Sequence, residues 1–195
     1  MFGLDPICWG AGRLAVGGSR DLDSLSARGF VEFATAWQAS GRQIGMGCSV
    51  GADALALRGM VHPRLVDVFA VCSPCGSGAW AGTALADVLA AGRRGANVRW
   101  YAGGAPDLPL AVRLAARSRA LGNHAPAGCL VALTSPTSRG ALQLARTVAA
   151  RRAPVVAIAC GFSWYMLPPL ASGGHWRRLG LLGTFTTARW VGVGG

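Results

Sequence analysis

Short apolar runs alternate along this chain with longer segments whose apolar residues return at helical spacing. The short runs are residues 13–17 (RLAVG), 43–47, 66–72 (VDVFAVC), 97–101 (NVRWY), 129–133 (CLVAL) and 154–159 (PVVAIA). Each is predicted to be a strand. Because neighbouring positions are apolar, not alternate ones, the strands suit a sheet buried on both faces. After the first run, Leu22, Leu25, Phe30, Phe33, Ala34 and Trp37 recur at helical spacing. Asp21, Asp23 and Ser24 offer start signals for that helix and Gly41 a stop. Further helices are predicted from Gly51 to Arg58, Ala79 to Ala91, over 108–121 (LPLAVRLAARSRAL) and from Ala141 to Arg151. Strand–helix alternation of this kind predicts an α/β fold. The expected form is a Rossmann-like, doubly wound, mainly parallel sheet of about six or seven strands with helices on both faces.

The rhythm stops near residue 161. Residues 1–161 are expected to form the core, and 162–195 a C-terminal extension holding Trp164, Tyr165, Trp176, Arg177, Arg178, Arg189 and Trp190. Its stretch LGLLGTFTTARWVGV suits an added edge strand or a hairpin. With 195 residues and 52% hydrophobic composition, the chain can build a sizeable core.

Charge changes the picture. The 19 basic residues are all arginine and face 8 acidic ones, for a net charge of +11. An excess of this sign implies polyanionic partners or anionic ligands. Arginine suits phosphate, because its planar fork binds two oxygens at once and stacks on bases. The start, MFGLDPICWG, lacks a cationic region followed by an apolar one, and Gly, Pro and Ser interrupt the longest uncharged stretches. The expectation is a cytoplasmic protein without membrane spans. Cys8, Cys48, Cys72, Cys75, Cys129 and Cys160 sit mostly among apolar neighbours and read as small core residues. Cys72 and Cys75 form a single CxxC with no second pair, and His62, His124 and His175 are isolated, so no metal and no cofactor are expected.

Three predicted strands end in small polar residues that lead into helices. These are Gly17-Gly18-Ser19-Arg20, then Gly47-Cys48-Ser49-Val50-Gly51-Ala52-Asp53, then Ser135-Pro136-Thr137-Ser138-Arg139-Gly140. In open α/β sheets, ligands bind beyond the C-terminal strand ends, where such loops converge. Glycines admit a ligand to the backbone, serines add hydroxyls, and helix N-termini present free N–H groups. Together the loops predict an anion cradle. Asp53 repels phosphate, so it either caps N–H groups or accepts from a ribose hydroxyl. Arg113 and Arg117 share a helix face by their spacing, and Arg117 and Arg119 are candidate phosphate ligands; the alternative for this helix is a solvated basic face. No nucleophile elbow, Walker loop or carboxylate pair is present. Arg20→Ala and Arg117→Ala are each expected to weaken binding with little loss of fold.

The segments LAVGGSRD, MGCSVGADALA, RSRALGNHAPAGCLVAL and SRGALQLARTVAARRAPVVAIACG resemble, in that order, the Rossmann-like core of the SLOG superfamily. That superfamily joins DNA-processing protein A (DprA/Smf) with the LOG phosphoribohydrolases, and the DprA/Smf core is the nearer likeness. Gly18-Ser19-Arg20 is similar to its G-[ST]-R turn. Gly47, Gly51 and Asp53 fall on its S-G-x-A-x-G-x-D element, with Ser49 in place of Ala. Arg117-Ser118-Arg119 is similar to R-N-R, and Ser138-Arg139-Gly140-Ala141 to S-G-[ST]-L with one residue inserted. The likeness covers residues 12–161. The segment CSPCGSGAWAG departs from the DprA pattern, and Leu144 stands where LOG enzymes carry a catalytic glutamate.

The resemblance implies binding of single-stranded nucleic acid and a homodimer or higher homo-oligomer. Arg93, Arg94, Arg151, Arg152, Arg177 and Arg178, outside the loop motifs, favour that reading. The alternative is a SLOG-type sensor of a nucleotide-derived ligand, as in signalling or antiviral defence. A LOG-like phosphoribohydrolase is the third reading, and the missing glutamate weighs against an enzyme. A basic stripe running away from the cradle would favour a strand; arginines confined to the cradle would favour a nucleotide.

Overall fold

The computed structural model describes residues 9–25, 27–182 and 184–192, so Cys8 and most of the MFGLDPICWG segment lie outside it. Six strands run parallel: β1 (Leu14–Gly18), β2 (Ile44–Met46), β3 (Val66–Phe69), β4 (Asn97–Arg99), β5 (Gly128–Leu133) and β6 (Val155–Ala159). Two more, β7 (His175–Leu182) and β8 (Phe185–Val191), form an antiparallel hairpin that joins the sheet through β6 and β8. The sheet order is β4-β3-β2-β1-β5-β6-β8-β7. The fold is therefore a mainly parallel α/β sheet of Rossmann-like type. It has eight strands because the extension adds a hairpin to the sheet.

The central strands are covered on both faces, and alternate residues serve the two layers. Leu14 and Val16, Leu130 and Ala132, and Val156 and Ile158 pack with α1 (Arg28–Ala39), α2 (Ala52–Arg58) and α3 (Leu85–Arg93). Ala15, Cys129, Val131, Leu133, Val155 and Ala157 pack with α4 (Leu110–Asn123) and α5 (Arg139–Ala150). Fully burying each large aliphatic side chain contributes about 1.5–3 kcal/mol, so the central strands β1, β5 and β6 are anchored on two sides. On α1 the spacing of Phe30, Phe33, Ala34 and Trp37 gives one buried stripe.

Two helices start later than their sequence patterns predict. α1 begins at Arg28 behind Ala27, without a side-chain cap, and Leu25 is 80% exposed. The expected capping residue Asp21 instead accepts from Thr134 Oγ1 at 2.7 Å, which ties the loop after β1 to the end of β5. α3 begins at Leu85, not near Ala79. Residues 80–83 close a turn in which the Trp80 N–H donates to Thr83 Oγ1 at 3.0 Å. That turn is held to the loop after β2 by Val50 N–H to Gly82 O at 2.9 Å. In both cases a tertiary hydrogen bond captures residues that helical periodicity alone would continue.

Strand order reverses direction at one place. From β1 the chain steps outward to β2, β3 and β4, then crosses back through α4 to β5 on the other side of β1. The loops after β1 and β5 therefore diverge, and a crevice opens between them at the C-terminal strand ends.

Candidate functional site

A cavity of about 680 Å3 occupies that crevice. The end of β1 and the loop after it supply Gly17, Gly18, Ser19, Arg20 and Asp21; the loop after β2 supplies Ser49, and the first turn of α2 supplies Asp53. The loop after β5 and the start of α5 add Thr137, Ser138, Arg139, Gly140 and Ala141.

Hydrogen bonds stitch the loops together before any ligand is considered. Ser19 is the hub. Its N–H donates to Ala132 O at 2.8 Å and its carbonyl accepts from Ala52 N–H at 3.1 Å. Its hydroxyl accepts from Thr134 N–H at 3.0 Å and shares a 2.7 Å hydrogen bond with Ser138 Oγ. Ser19 thus shapes the cradle, and its polar groups are engaged inward. The N-terminus of α5 is different. Ser138 occupies the cap position without capping, so the first-turn N–H groups of α5 stay available at the cavity. Arg20 and Arg139 are exposed at its mouth. Free amides, a helix dipole and two guanidinium groups together attract an anion.

The inner wall carries a buried ion pair. Arg117 Nη1 lies 3.3 Å from Asp53 Oδ2, with Arg117 at 8% and Asp53 at 4% exposure. Arg117 Nη2 donates to Ser49 Oγ at 3.3 Å, and Ser49 N–H donates to Asp53 Oδ2 at 3.0 Å. Burial pushes the Asp53 carboxyl above its ordinary range; the Arg117 charge and the Ser49 N–H pull the other way. Both donors meet Oδ2, which leaves Oδ1 to accept from a ligand. Arg117 Nε and Trp80 Nε1 are buried without an acceptor among the described residues, and both residues line the cavity.

Four residues of the expected cradle do not line the cavity. Gly47 lies behind the ion pair, where a Cβ would overlap Arg117 Nη1 and Asp53 Oδ2. Gly51 has φ +75° and packs against the Ser19 and Arg20 carbonyls, so its room is filled by the chain itself. Ser135 Oγ pairs with Thr137 Oγ1 at 2.8 Å and accepts from Thr137 N–H at 3.1 Å, which shapes its own loop. Arg119 is exposed, because two residues along a helix turn it well away from Arg117. Arg113 and Arg117 do share a face, but it is buried and not solvated. Arg113 donates to the carbonyls of Leu108 (3.0 Å), Val71 (3.1 Å) and Gly78 (2.6 Å), clamping the loop that carries Trp80. Since Arg117 holds a buried carboxylate, Arg117→Ala is now expected to cost fold as well as binding.

Trp80, Ser118, Gln143 and the apolar residues Ala111, Leu114, Ala115, Leu121 and Leu144 complete the lining, and sequence reading did not single them out as ligand-binding residues. A lone serine inside the apolar stripe of α4 was the available signal.

The remaining arginines are spread widely. Helices α3 and α5 run back toward the N-terminal strand ends, so Arg93, Arg94, Arg151 and Arg152 sit at the end of the sheet away from the cavity. Arg151 Nη1 donates to the Gly122 and Asn123 carbonyls at 2.8 Å, closing the end of α4. Arg177 and Arg178 are exposed on the edge strand β7. Among the described residues, no three His, Cys, Asp or Glu side chains group to hold a metal ion, and no helix is long and apolar enough to cross a membrane. No family model matches this chain, and no curated protein or solved structure matches it.

Proposed function

We propose that this protein binds a small nucleotide-class ligand at the β1/β5 crevice and performs no chemistry of its own on it. The observation that carries the reading is one cavity wall with two characters. The uncapped first turn of α5, with Arg20 and Arg139, suits a phosphate. Asp53 Oδ1, held by Arg117 and Ser49 through its other oxygen, suits a ribose hydroxyl. The cavity volume lies in the range of small-molecule sites. The SLOG resemblance supports the same reading, with Leu144 in the glutamate position weighing against phosphoribohydrolase activity.

Thermal melting with nucleoside 5′-monophosphates and ribose 5-phosphate tests it. A ligand at a hundred times its Kd stabilises the fold by about 2.7 kcal/mol. For a domain of this size that is a Tm rise of about 5–10 °C. No rise with any phosphorylated ribose compound would overturn the reading.

A DprA-like role in binding single-stranded nucleic acid is the second reading. The net charge of +11 and the exposed Arg119, Arg146, Arg177 and Arg178 favour it. It is placed second because four of the arginines that suggested a strand path lie at the far end of the sheet from the cavity. Anisotropy of a labelled oligonucleotide across a salt series decides: for a strand, log K falls with log salt at about −0.7 per phosphate contacted. Either ligand is compatible with a homodimer or larger homo-oligomer, which sedimentation would measure.

A further inference from the structure

The outer edge of β7 is a row of backbone groups that the sheet does not use. β7 ends the strand order, so along one side its N–H and C=O groups face no neighbouring strand among the described residues. An open edge of this kind is a template for one more strand. The opposite edge strand, β4, has three residues, whereas β7 has eight, a length of about 27 Å. Its side chains are arranged for an acidic partner. Arg177 and Arg178 are exposed, and neither makes a hydrogen bond or ion pair with the described residues. As neighbours on a strand they point to opposite faces, so an added strand meets a guanidinium group on each side. Arg177 stands opposite Arg189 in the ladder, and β7 holds no acidic residue. Like charges set directly opposite are unfavourable, and carboxylates on a further strand relieve them. Past the bulge between Arg178 and Gly180, Leu181 returns to the face of Arg178, since their partners Thr186 and Ala188 lie two apart on β8. Leu181 is 55% exposed and offers that face an apolar contact.

We propose that the β7 edge is a docking site for an extended acidic segment of a partner protein, which joins the sheet as a further strand. Main-chain hydrogen bonds supply the attachment in such additions, and the side chains of the added strand set the choice of partner. Here Arg177 and Arg178 select carboxylates, because a guanidinium fork binds both oxygens of one. A second copy of this chain is the poorer occupant. Two β7 edges paired in antiparallel fashion bring Arg177 and Arg178 of both copies into one short ladder with no carboxylate on either strand. Nucleic acid is the poorer occupant too. A phosphate chain uses the arginines but offers no row of donors to the C=O groups of the edge. The aromatic ring of this strand is not free to stack on bases. Trp176 packs edge-on against Trp190 at 5.5 Å and donates through Nε1 to Pro168 O at 2.9 Å. In the sheet order β7 stands three strands beyond β5, about 14 Å across, so this surface is separate from the crevice and independent of the ligand held there.

The experiment is fluorescence anisotropy of the full chain with a labelled short peptide of valine and threonine carrying two adjacent glutamates at its centre. The controls are the same peptide with lysines for the glutamates, a version with proline at alternate positions, and an oligothymidylate of similar length. The wild-type protein is expected to bind the glutamate peptide, and to bind the lysine and proline peptides about tenfold more weakly or less. The first control reverses the charge; the second keeps the charge and removes main-chain donors. Hydrogen exchange is expected to slow at β7 amides when the glutamate peptide is added. The double variant Arg177→Glu, Arg178→Glu is expected to melt no lower than the parent, because both positions are exposed, and to prefer the lysine peptide. No binding of the glutamate peptide, or binding that proline or the charge swap leaves unchanged, would overturn the proposal. Oligothymidylate binding that the double variant loses, with the peptide inert, would overturn it in favour of nucleic acid. A dimer by sedimentation whose β7 amides are protected without peptide would give the edge to a second copy and overturn it as well. None of these outcomes touches the nucleotide reading of the crevice.

Discussion

Arg117 and Asp53 make the most exposing test of how this site is built, because each is buried and each is the other's partner. Replacing Arg117 by Met keeps much of the side-chain volume and removes the charge. Asp53 is then left at 4% exposure, with the Ser49 N–H as its remaining donor. Two unit charges 3.3 Å apart attract by about 5 kcal/mol at the effective dielectric that suits protein sites. Breaking such a pair by removing one partner costs about 3–5 kcal/mol. At about 2–4 °C per kcal/mol, Arg117→Met should melt about 6–20 °C below the parent.

The effect has a pH signature. Burial already holds the Asp53 carboxyl above its ordinary value, and losing Arg117 raises it further. A carboxyl whose folded pKa exceeds its unfolded one binds more protons when folded, so stability falls as pH rises from the ordinary carboxylate range through the raised value. The deficit of Arg117→Met is therefore largest at neutral pH and shrinks on acidification, as Asp53 becomes protonated. Asp53→Asn in the Arg117→Met background removes the stranded charge and should recover most of the loss. Denaturant unfolding of the parent, both single variants and the double variant, from about pH 4, the ordinary carboxylate range, up to neutral pH gives the full cycle. A loss under about 1 kcal/mol that does not vary with pH, or a double variant no more stable than Arg117→Met, would refute the reasoning.

Three further outcomes are expected. Gly47→Ala places a methyl group against Arg117 Nη1 and Asp53 Oδ2 and should destabilise by about 3 kcal/mol, read from chemical denaturation; a loss below 1 would mean the loop yields freely. Arg20→Ala and Arg139→Ala, both exposed, should leave melting unchanged and each weaken inorganic phosphate or nucleotide binding about tenfold by calorimetry; unaltered affinity in both would move the anion elsewhere. Native alkylation followed by peptide mass spectrometry should label exposed Cys75 well before Cys48, Cys72, Cys129 or Cys160. Hydrogen bonds from Ser73 and Ser77 hold the Cys75 thiol below its ordinary value, whereas burial pushes Cys72 up to about 11; first labelling at a buried cysteine would contradict the packing.

The architecture is legible in the sequence where one local rule acts alone. VVAIA and CLVAL contain no polar residue, and a run apolar on both faces has few places in a soluble fold other than the centre of a parallel sheet. Phe30, Phe33, Ala34 and Trp37 mark their helix by spacing. The start of α3 is not legible, because Trp80–Thr83 adjoins an Ala/Leu-rich run but is drawn into a turn, with Val50 N–H donating to the Gly82 carbonyl. Gly41 and Gly51 look alike in the sequence. Open space surrounds one, whereas the Ser19 and Arg20 carbonyls press on the other. The glycine-rich loops could thus be located at the strand ends, but not sorted into residues that admit a ligand and residues that admit the chain itself.

The same distinction governs the arginines, and it limits what net charge can say about function. Arg13, Arg113, Arg117 and Arg151 all spend donors on the protein, gripping Asp67, three loop carbonyls, Asp53 and the end of α4. With only 8 acidic residues, backbone carbonyls take the place that carboxylates hold in a balanced chain. Much of the +11 is therefore a means of tying loops and helix ends, and it cannot be read wholesale as a surface for polyanions. The charge that bears on a ligand is the part left over at the crevice: Arg20 and Arg139 at the mouth, and an Arg117 whose strength is already committed to holding Asp53 in place. A cavity furnished in this way presents a few fixed donors around one fixed acceptor. That arrangement favours a compact ligand carrying both a phosphate and a hydroxyl-bearing sugar over a long uniform chain of phosphates.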